Sequence, residues 1–409
     1  MLAENTRESS SEVNRNAVST ADNVISLADS QLQPRIPELD GLRGLAIFLV
    51  LLCHYIYAWP YGTPHSWSSR IATLTEQGQT GVDLFFVLSG FLIGGILLNS
   101  RSSPRYYKTF YLRRFYRIIP LYYGWVLLVW LVSPNAPPHF ENHIGEFRTG
   151  AIPYWIYFIF IQNFVLPSTA VQALWLGSTW SLAVEEQFYL ISPFLVRNLS
   201  RASLVKLLVA VVVFAAVLRF VLSTCFGPSH YNWGILASYL WTPCRADDLA
   251  LGVLAAVAWA EPGSRRWLHE NLSKIYILAF GCAACVLVLL FWLVEPHSYV
   301  QATVGRPVYG FLYTSLLLIA LVDERSKLAG ILRWRVLREL GRVSYCVYII
   351  HWAVDWMVFK IAWHATPRFD SASAIGLTVV AFASTLAIAE LSWYCFEHPL
   401  IRRGHRYSY

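Results

Sequence analysis

Apolar runs, each near the length of a bilayer crossing and separated by short polar connectors, recur from residue 41 to residue 396. About 20 such residues in an α-helix cross the hydrocarbon of a membrane. The pattern predicts candidate spans near 41–59, 81–99, 118–132, 151–166, 180–196, 203–222, 235–260, 274–294, 307–322, 343–363 and 372–396. The connectors set the orientation, because Lys and Arg gather on the cytoplasmic side. Segments 100–117 and 323–342 carry six Lys or Arg each. Arg265, Arg266 and Lys274 follow in a third connector, and Arg402, Arg403 and Arg406 lie near the C-terminus. Connectors 60–80, 134–149, 223–234 and 295–306 are poor in positive charge and suit the outer face. Full crossings by both 151–166 and 180–196 would strand Arg197, Arg201 and Lys206 outside. The two are therefore expected to make one net crossing, with one of them interfacial or re-entrant, as is permitted where backbone faces protein or a cavity. The fold expected is an all-α, polytopic transmembrane helix bundle with about ten crossings and both termini cytoplasmic.

Residues 1–34 are polar and rich in Ser, Asn and Asp, the composition of a disordered cytoplasmic tail. They have no basic stretch followed by an apolar core, so the first span is expected to act as an uncleaved insertion signal. Residues 35–399 form the transmembrane domain, and 400–409 read as a short basic cytoplasmic tail.

Composition agrees with a membrane protein: 56% of the 409 residues are hydrophobic and 14% charged, against about a quarter charged in soluble domains. The net charge of +7 is then orientation information. It does not point to nucleic acid, since the basic residues alternate with apolar spans. The seven cysteines lie in or beside apolar runs and read as small packing residues. No metal-ligating cluster stands out, and no internal repeat supports a transporter built from inverted halves.

A few polar groups break the apolar pattern. Arg43 opens the first span and His54 sits inside it, where an ionisable group is costly and usually functional. Eleven residues make about three helical turns, which puts both on one face roughly 16 Å apart. The plainer alternative is an interfacial anchor plus a hydrogen-bonded histidine. Arg114 and Arg117 are spaced i, i+3 with Arg113 adjacent. They form either a cationic face suited to phosphates or an ordinary positive-inside stop signal. Asp83, near the outer end of GVDLFFVLSGFLIGG, is a structural cap or a site group, and Gly90, Gly94 and Gly95 read as packing. In TWSLAVEEQFYLISPFL, Glu185 and Glu186 project about 100° apart, so at most one faces a given pocket. A carboxylate lining a wet cavity there would be a usable proton carrier. Arg245, Asp247 and Asp248 suggest an internal ion pair, and His351 in SYCVYIIH either lines a site or packs.

Taken in order, LDGLRGLAI with Arg43 and His54, GVDLFFVLSGFLI with Asp83, Arg114 with Arg117, WSLAVEEQFYL with Trp180, Ser181 and Glu185, and SYCVYIIH with His351 resemble the acyltransferase-3 family of bacterial integral-membrane O-acyltransferases. The resemblance runs from Arg35 to about Pro399. It is to the stand-alone form, without an appended soluble esterase-like domain.

The resemblance implies a multi-pass protein of the bacterial cytoplasmic membrane. Its co-substrate would be an acyl-CoA, usually acetyl-CoA, with no bound cofactor, and its acceptor a hydroxyl of a carbohydrate or glycoconjugate. On this footing Arg43, Arg114 and Arg117 bind the donor phosphates. His54 is a general base or is transiently acylated. Glu185 orients a histidine or the acceptor, and Asp40, Asp83, Trp180, Ser181 and His351 support the site. The rival reading is a proton-coupled transporter or flippase of a glycolipid or anionic substrate, with His54 and Glu185 as its relay.

Overall fold

The computed structural model describes residues 36–59, 66–132, 152–168, 174–226, 233–291 and 298–409. The tail expected at 1–34 lies outside them. Among the described residues there are helices and no strands. Eight helices are long and apolar enough to cross a membrane. They are α1 (Pro37–Tyr57), α2 (Trp67–Asn99), α3 (Tyr106–Val132), α5 (Arg201–Cys225), α7 (Leu272–Leu290), α8 (Gln301–Val322), α9 (Arg335–Trp363) and α10 (Ala372–His405). Two further helices of 19 residues, α4 (Trp180–Asn198) and α6 (Thr242–Ala260), carry charges within them. The described residues thus supply ten helices of crossing length in an all-α bundle.

Segment 152–168 breaks into Trp155–Phe158, Gln162–Val165 and a 3-10 turn at Leu166–Ser168. At 1.5 Å per residue none of these can cross, which leaves α4 as the helix of crossing length in that stretch. Arg101 donates to the carbonyls of Arg197 (3.1 Å) and Leu199 (2.6 Å), and Arg197 donates to that of Ser103 (3.2 Å). Arg201 reaches the carbonyl of Val257 and ion-pairs with Glu261 at 2.6 Å. Arg333 pairs with Glu38 at 2.5 Å. The ends of α1, α2, α4, α6 and α9 therefore share one basic rim.

Three expected connectors are more ordered than their composition suggested. Segment 105–120 is not a loop: α3 begins at Tyr106, and its cations and aromatics ride on helix. The stretch before residue 81 is helical from Trp67, with a 3-10 step at Gln77–Thr80. The C-terminal tail is helical to His405, and the turn after it docks on α3. Arg113 Nε donates to the carbonyl of Tyr407 at 2.8 Å, and Thr109 Oγ1 to that of Ser408 at 2.9 Å.

Two helix crossings position the site. α1 and α9 approach so closely that a Cβ on Gly44 would sit 1.9 Å from the carbonyl oxygen of Leu337. α2 and α6 meet at Gly90 and Gly252, where a Cβ on Gly90 would be 2.1 Å from that of Leu249. Small residues at such crossings let backbones come together without a side chain between them. Gly44→Ala should therefore cost about 1–3 kcal/mol by overpacking, read as a lower melting temperature in detergent; an unchanged melting curve would contradict the close crossing.

Candidate active site

At the basic rim, α1, α2, α3, α4 and α9 line a cavity of about 110 Å³. Arg43, Arg114 and Arg117 line it together; the i, i+3 spacing pairs the last two, and the family resemblance adds Arg43. Arg113 does not join them, being spent on the C-terminal turn. Across the cavity stand Tyr189 and both Glu185 and Glu186, contrary to the expectation that at most one glutamate faces a given pocket: a 100° offset still lets two neighbouring side chains line one wide cleft. The Tyr189 hydroxyl donates to Glu185 Oε2 at 2.7 Å, and the Arg114 guanidinium lies 5.3 Å from the Tyr189 ring centre. Arg43 pairs with Asp40 at 3.4 Å. The result is a polar pocket with three convergent cations, each able to offer fork-shaped donors to phosphate.

Deeper in the bundle lies a second cavity of about 230 Å³, lined by His54, Cys53, Tyr57, Gln79, Trp180, Tyr239 and Trp352 among others. His54 stands on a π-turn, Cys53–Tyr57, closed by the Ala58 amide donating to the Cys53 carbonyl at 3.0 Å. Such turns widen a helix by one residue, and they occur often at functional sites. Here the turn carries His54 onto α9, where its Nδ1 lies 2.7 Å from His351 Nε2. The two rings are stacked, 4.9 Å apart and 5° from parallel. Trp352 covers His54 with ring centres 4.6 Å apart.

The proton arrangement of this pair follows from its partners. His351 Nδ1 faces the carbonyls of Tyr348 (2.8 Å) and Val347 (3.1 Å). A carbonyl only accepts, so Nδ1 carries the hydrogen. In a neutral ring Nε2 then holds a lone pair, and it must accept from His54 Nδ1–H. His54 Nε2 is thereby left as the basic nitrogen, without a hydrogen-bond partner among the described residues, on a ring that lines the second cavity. His351 is fully buried, and the Tyr55 hydroxyl fixes its backbone by donating to its carbonyl at 3.2 Å. The outcome is the one a catalytic triad achieves with a carboxylate: a second group sets the tautomer and steadies the charge on the working imidazole.

The two cavities share Val82 and Tyr348 as lining. The Tyr348 hydroxyl donates to the carbonyl of Ser178 (2.9 Å) and lies 2.6 Å from Ser181 Oγ. Ser181 is thus a strut of this partition. Trp180 walls the deeper cavity, its ring against those of Tyr239 and Phe86.

Two expected roles change. Glu185 is not placed to orient a histidine: it lines the arginine cavity and is bonded to Tyr189, while His351 fills the place beside His54. Asp83 is a structural anion, fully buried between Arg245 (2.9 Å) and Arg306 (3.1 Å). Arg245 also meets Asp248 at 3.3 Å, and Asp247 pairs with Arg219 at 2.6 Å. The internal ion pair expected at 245–248 is therefore present, but Arg219 and Arg306 were not foreseen as its partners. Tyr348 was also missed. Its position three residues before His351 puts both on one helix face, which was the available signal.

The family described as "Acyltransferase domain" (acyltransferase-3) matches residues 36–393. Among curated proteins, the chain is 31% identical over 392 residues to the peptidoglycan O-acetyltransferase OatA of Listeria monocytogenes, covering 90% of this chain and 56% of that protein. It is 32% identical over 400 residues to the putative peptidoglycan O-acetyltransferase YrhL of Bacillus subtilis, covering 91% and 56%. With the O-acetyltransferase OatA of Staphylococcus aureus the identity is 25%, covering 92% and 59%. The chain thus spans somewhat more than half the length of the curated relatives it matches. No solved structure gives a significant match. A match that runs from the start of α1 to residue 393 within α10, and takes in both cavities and the histidine pair, places this chain in the acyltransferase-3 family of membrane acyltransferases.

Proposed function

We propose that this protein is a membrane O-acetyltransferase that moves an acetyl group from acetyl-CoA to a hydroxyl of a carbohydrate or glycoconjugate. The observation that carries the reading is the His54–His351 pair. It presents an unprotonated nitrogen in a cavity that shares a wall with a three-arginine pocket. In this reading the basic rim faces the cytoplasm, the termini lie there, and the membrane is the bacterial cytoplasmic membrane. Arg43, Arg114 and Arg117 hold the CoA phosphates, with Glu185 and Tyr189 keeping Arg114 in place. The pantetheine arm points inward past Tyr348. The aromatic walls of the deeper cavity, Tyr57, Trp180, Tyr239 and Trp352, suit the apolar faces of a sugar, and their polar edges suit its hydroxyls.

The chemistry needs one base. His54 Nε2 takes the proton of the acceptor hydroxyl as its oxygen attacks the thioester carbonyl. The new C–O bond forms, the C–S bond breaks, and His54 returns the proton to the departing thiolate. The positive charge held on His54 in between is shared through Nδ1–H with His351, whose own N–H rests on two carbonyls. The relatives named as peptidoglycan O-acetyltransferases make envelope glycan the first acceptor to try.

The test is thiol release from acetyl-CoA by the purified protein in detergent, with and without glycan, followed by mass spectrometry for the ester. Acceptor-dependent release supports the reading. Failure to bind labelled acetyl-CoA, or transport without acyl transfer, overturns it. Acetyl label trapped on His54 without acceptor would replace the general base by an acyl-imidazole. Arg117→Ala should raise the KM for acetyl-CoA about tenfold or more, with a smaller change in kcat, since a charge-assisted phosphate contact is lost. An unchanged donor KM would reduce the arginine pair to an orientation signal.

A further inference from the structure

Gln79 lines the deeper cavity with His54, yet the chemistry above makes no use of it. Its side chain is 8% exposed, and its Oε1 lies 3.3 Å from Arg306 Nη2. Arg306 is itself clamped by fully buried Asp83 at 3.1 Å, and its guanidinium stacks 4.5 Å from the centre of the Tyr239 ring. A guanidinium has five donors and no acceptor, so the amide atom facing it must be the oxygen. The orientation of the Gln79 amide is thereby set by a buried cation. Its Nε2 has no acceptor among the described residues and is the donor left for the cavity.

We infer that Gln79 is an acceptor-binding residue: its Nε2–H₂ donates to an uncharged oxygen of the carbohydrate, a hydroxyl or an acetamido carbonyl. Asp83 and Arg306 preset the donor from behind. This rests on the acyltransfer reading of the His54 cavity and adds a specificity element to it. A cavity that offers Gln79 as a donor and His54 Nε2 as an acceptor can hold a sugar at two points. One hydroxyl lies on the base and a second oxygen on the amide. A buried amide donor left unpaired discriminates against a ligand that lacks the matching oxygen.

The experiment compares Gln79→Ala and Gln79→Glu with wild type, measuring KM for the glycan acceptor, KM for acetyl-CoA and the melting temperature. Glu keeps an oxygen for Arg306 but has no donor to offer the cavity. Both variants should raise the acceptor KM about tenfold or more and leave the acetyl-CoA KM within about twofold. Because the Glu variant adds a charge to the buried ion cluster, the split between the two KM values decides and the melting temperature reports only the fold. Wild-type acceptor KM in Gln79→Glu would overturn the inference and leave Gln79 as a mere support for Arg306. So would a fall in kcat at unchanged acceptor KM in both variants. Should wild type itself consume no acetyl-CoA, the acyltransfer reading fails instead, which separates the two outcomes.

Discussion

Replacing His54 with Ala is expected to abolish acetyl transfer, by about 10²–10⁴-fold or more, while leaving the protein folded and able to bind acetyl-CoA. The side chain is the one basic group that the described residues aim into the deeper cavity with its tautomer set. The arginine cavity does not depend on it. His351→Ala should lower kcat as well, but by less, because His54 Nε2 remains and only its tautomer and charge stabilisation are lost. The double variant should be no worse than His54→Ala alone, since residues acting as one unit are non-additive. The measurement is kcat for thiol release with acceptor present, beside a labelled acetyl-CoA binding isotherm. Near-normal turnover in His54→Ala would remove the imidazole from the mechanism. A fully additive double variant would break the relay into two unrelated histidines.

How far this site was legible in sequence depends on distance along the chain. The separation of Arg43 from His54 was readable, because eleven residues on one helix fix an axial offset; their cavities differ, and the π-turn between them alters the face. So was the grouping of Arg114 with Arg117. The partnership of His54 with His351 was not: 297 positions separate them. It exists because a glycine crossing brings α1 against α9 and a π-turn rotates His54 into place, and neither has a periodicity to detect. The histidine partner expected for Glu185 was misassigned for a related reason. A carboxylate in an apolar span announces that it meets something polar, but the span does not say which of two adjoining cavities it meets.

The fold was more legible than the site. Apolar length and the distribution of Lys and Arg gave the bundle, and the stranded Arg197 and Arg201 already argued that 151–166 and 180–196 cross once between them. In the structure the described part of the first breaks into single turns too short to cross, while the second is one 19-residue helix. The connectors were read too loosely because polarity was taken for irregularity. Arg113, Arg114 and Arg117 sit on helix all the same: Lys, Arg and Tyr at its exposed face do not oppose helix formation once Thr109 and Phe110 are buried against neighbours.

Asp83→Ala is expected to be the most destabilising single change, by about 3–5 kcal/mol, enough to lose most of the folded protein in detergent at ambient temperature. The reason is charge balance in an interior without water. Arg245 and Arg306 face Asp83 and Asp248, two cations against two anions, with Arg245 and Asp83 wholly buried. Arg245 Nε and Nη1 already lack partners. Removing Asp83 leaves two guanidiniums to one carboxylate, with the surplus charge held away from solvent. Asp83→Asn keeps the shape and loses the charge, so it should fall nearly as far. If instead Asp83 served the reaction directly, both variants would stay folded and only kcat would drop. Replacing the whole set, Asp83→Leu and Asp248→Leu with Arg245→Met and Arg306→Met, removes both cations and both anions together and should recover much of the melting temperature. That variant would still lack the guanidinium that fixes the Gln79 amide. It should therefore regain the fold while its acceptor KM stays high, which separates what the buried ions do for the bundle from what they do for the sugar.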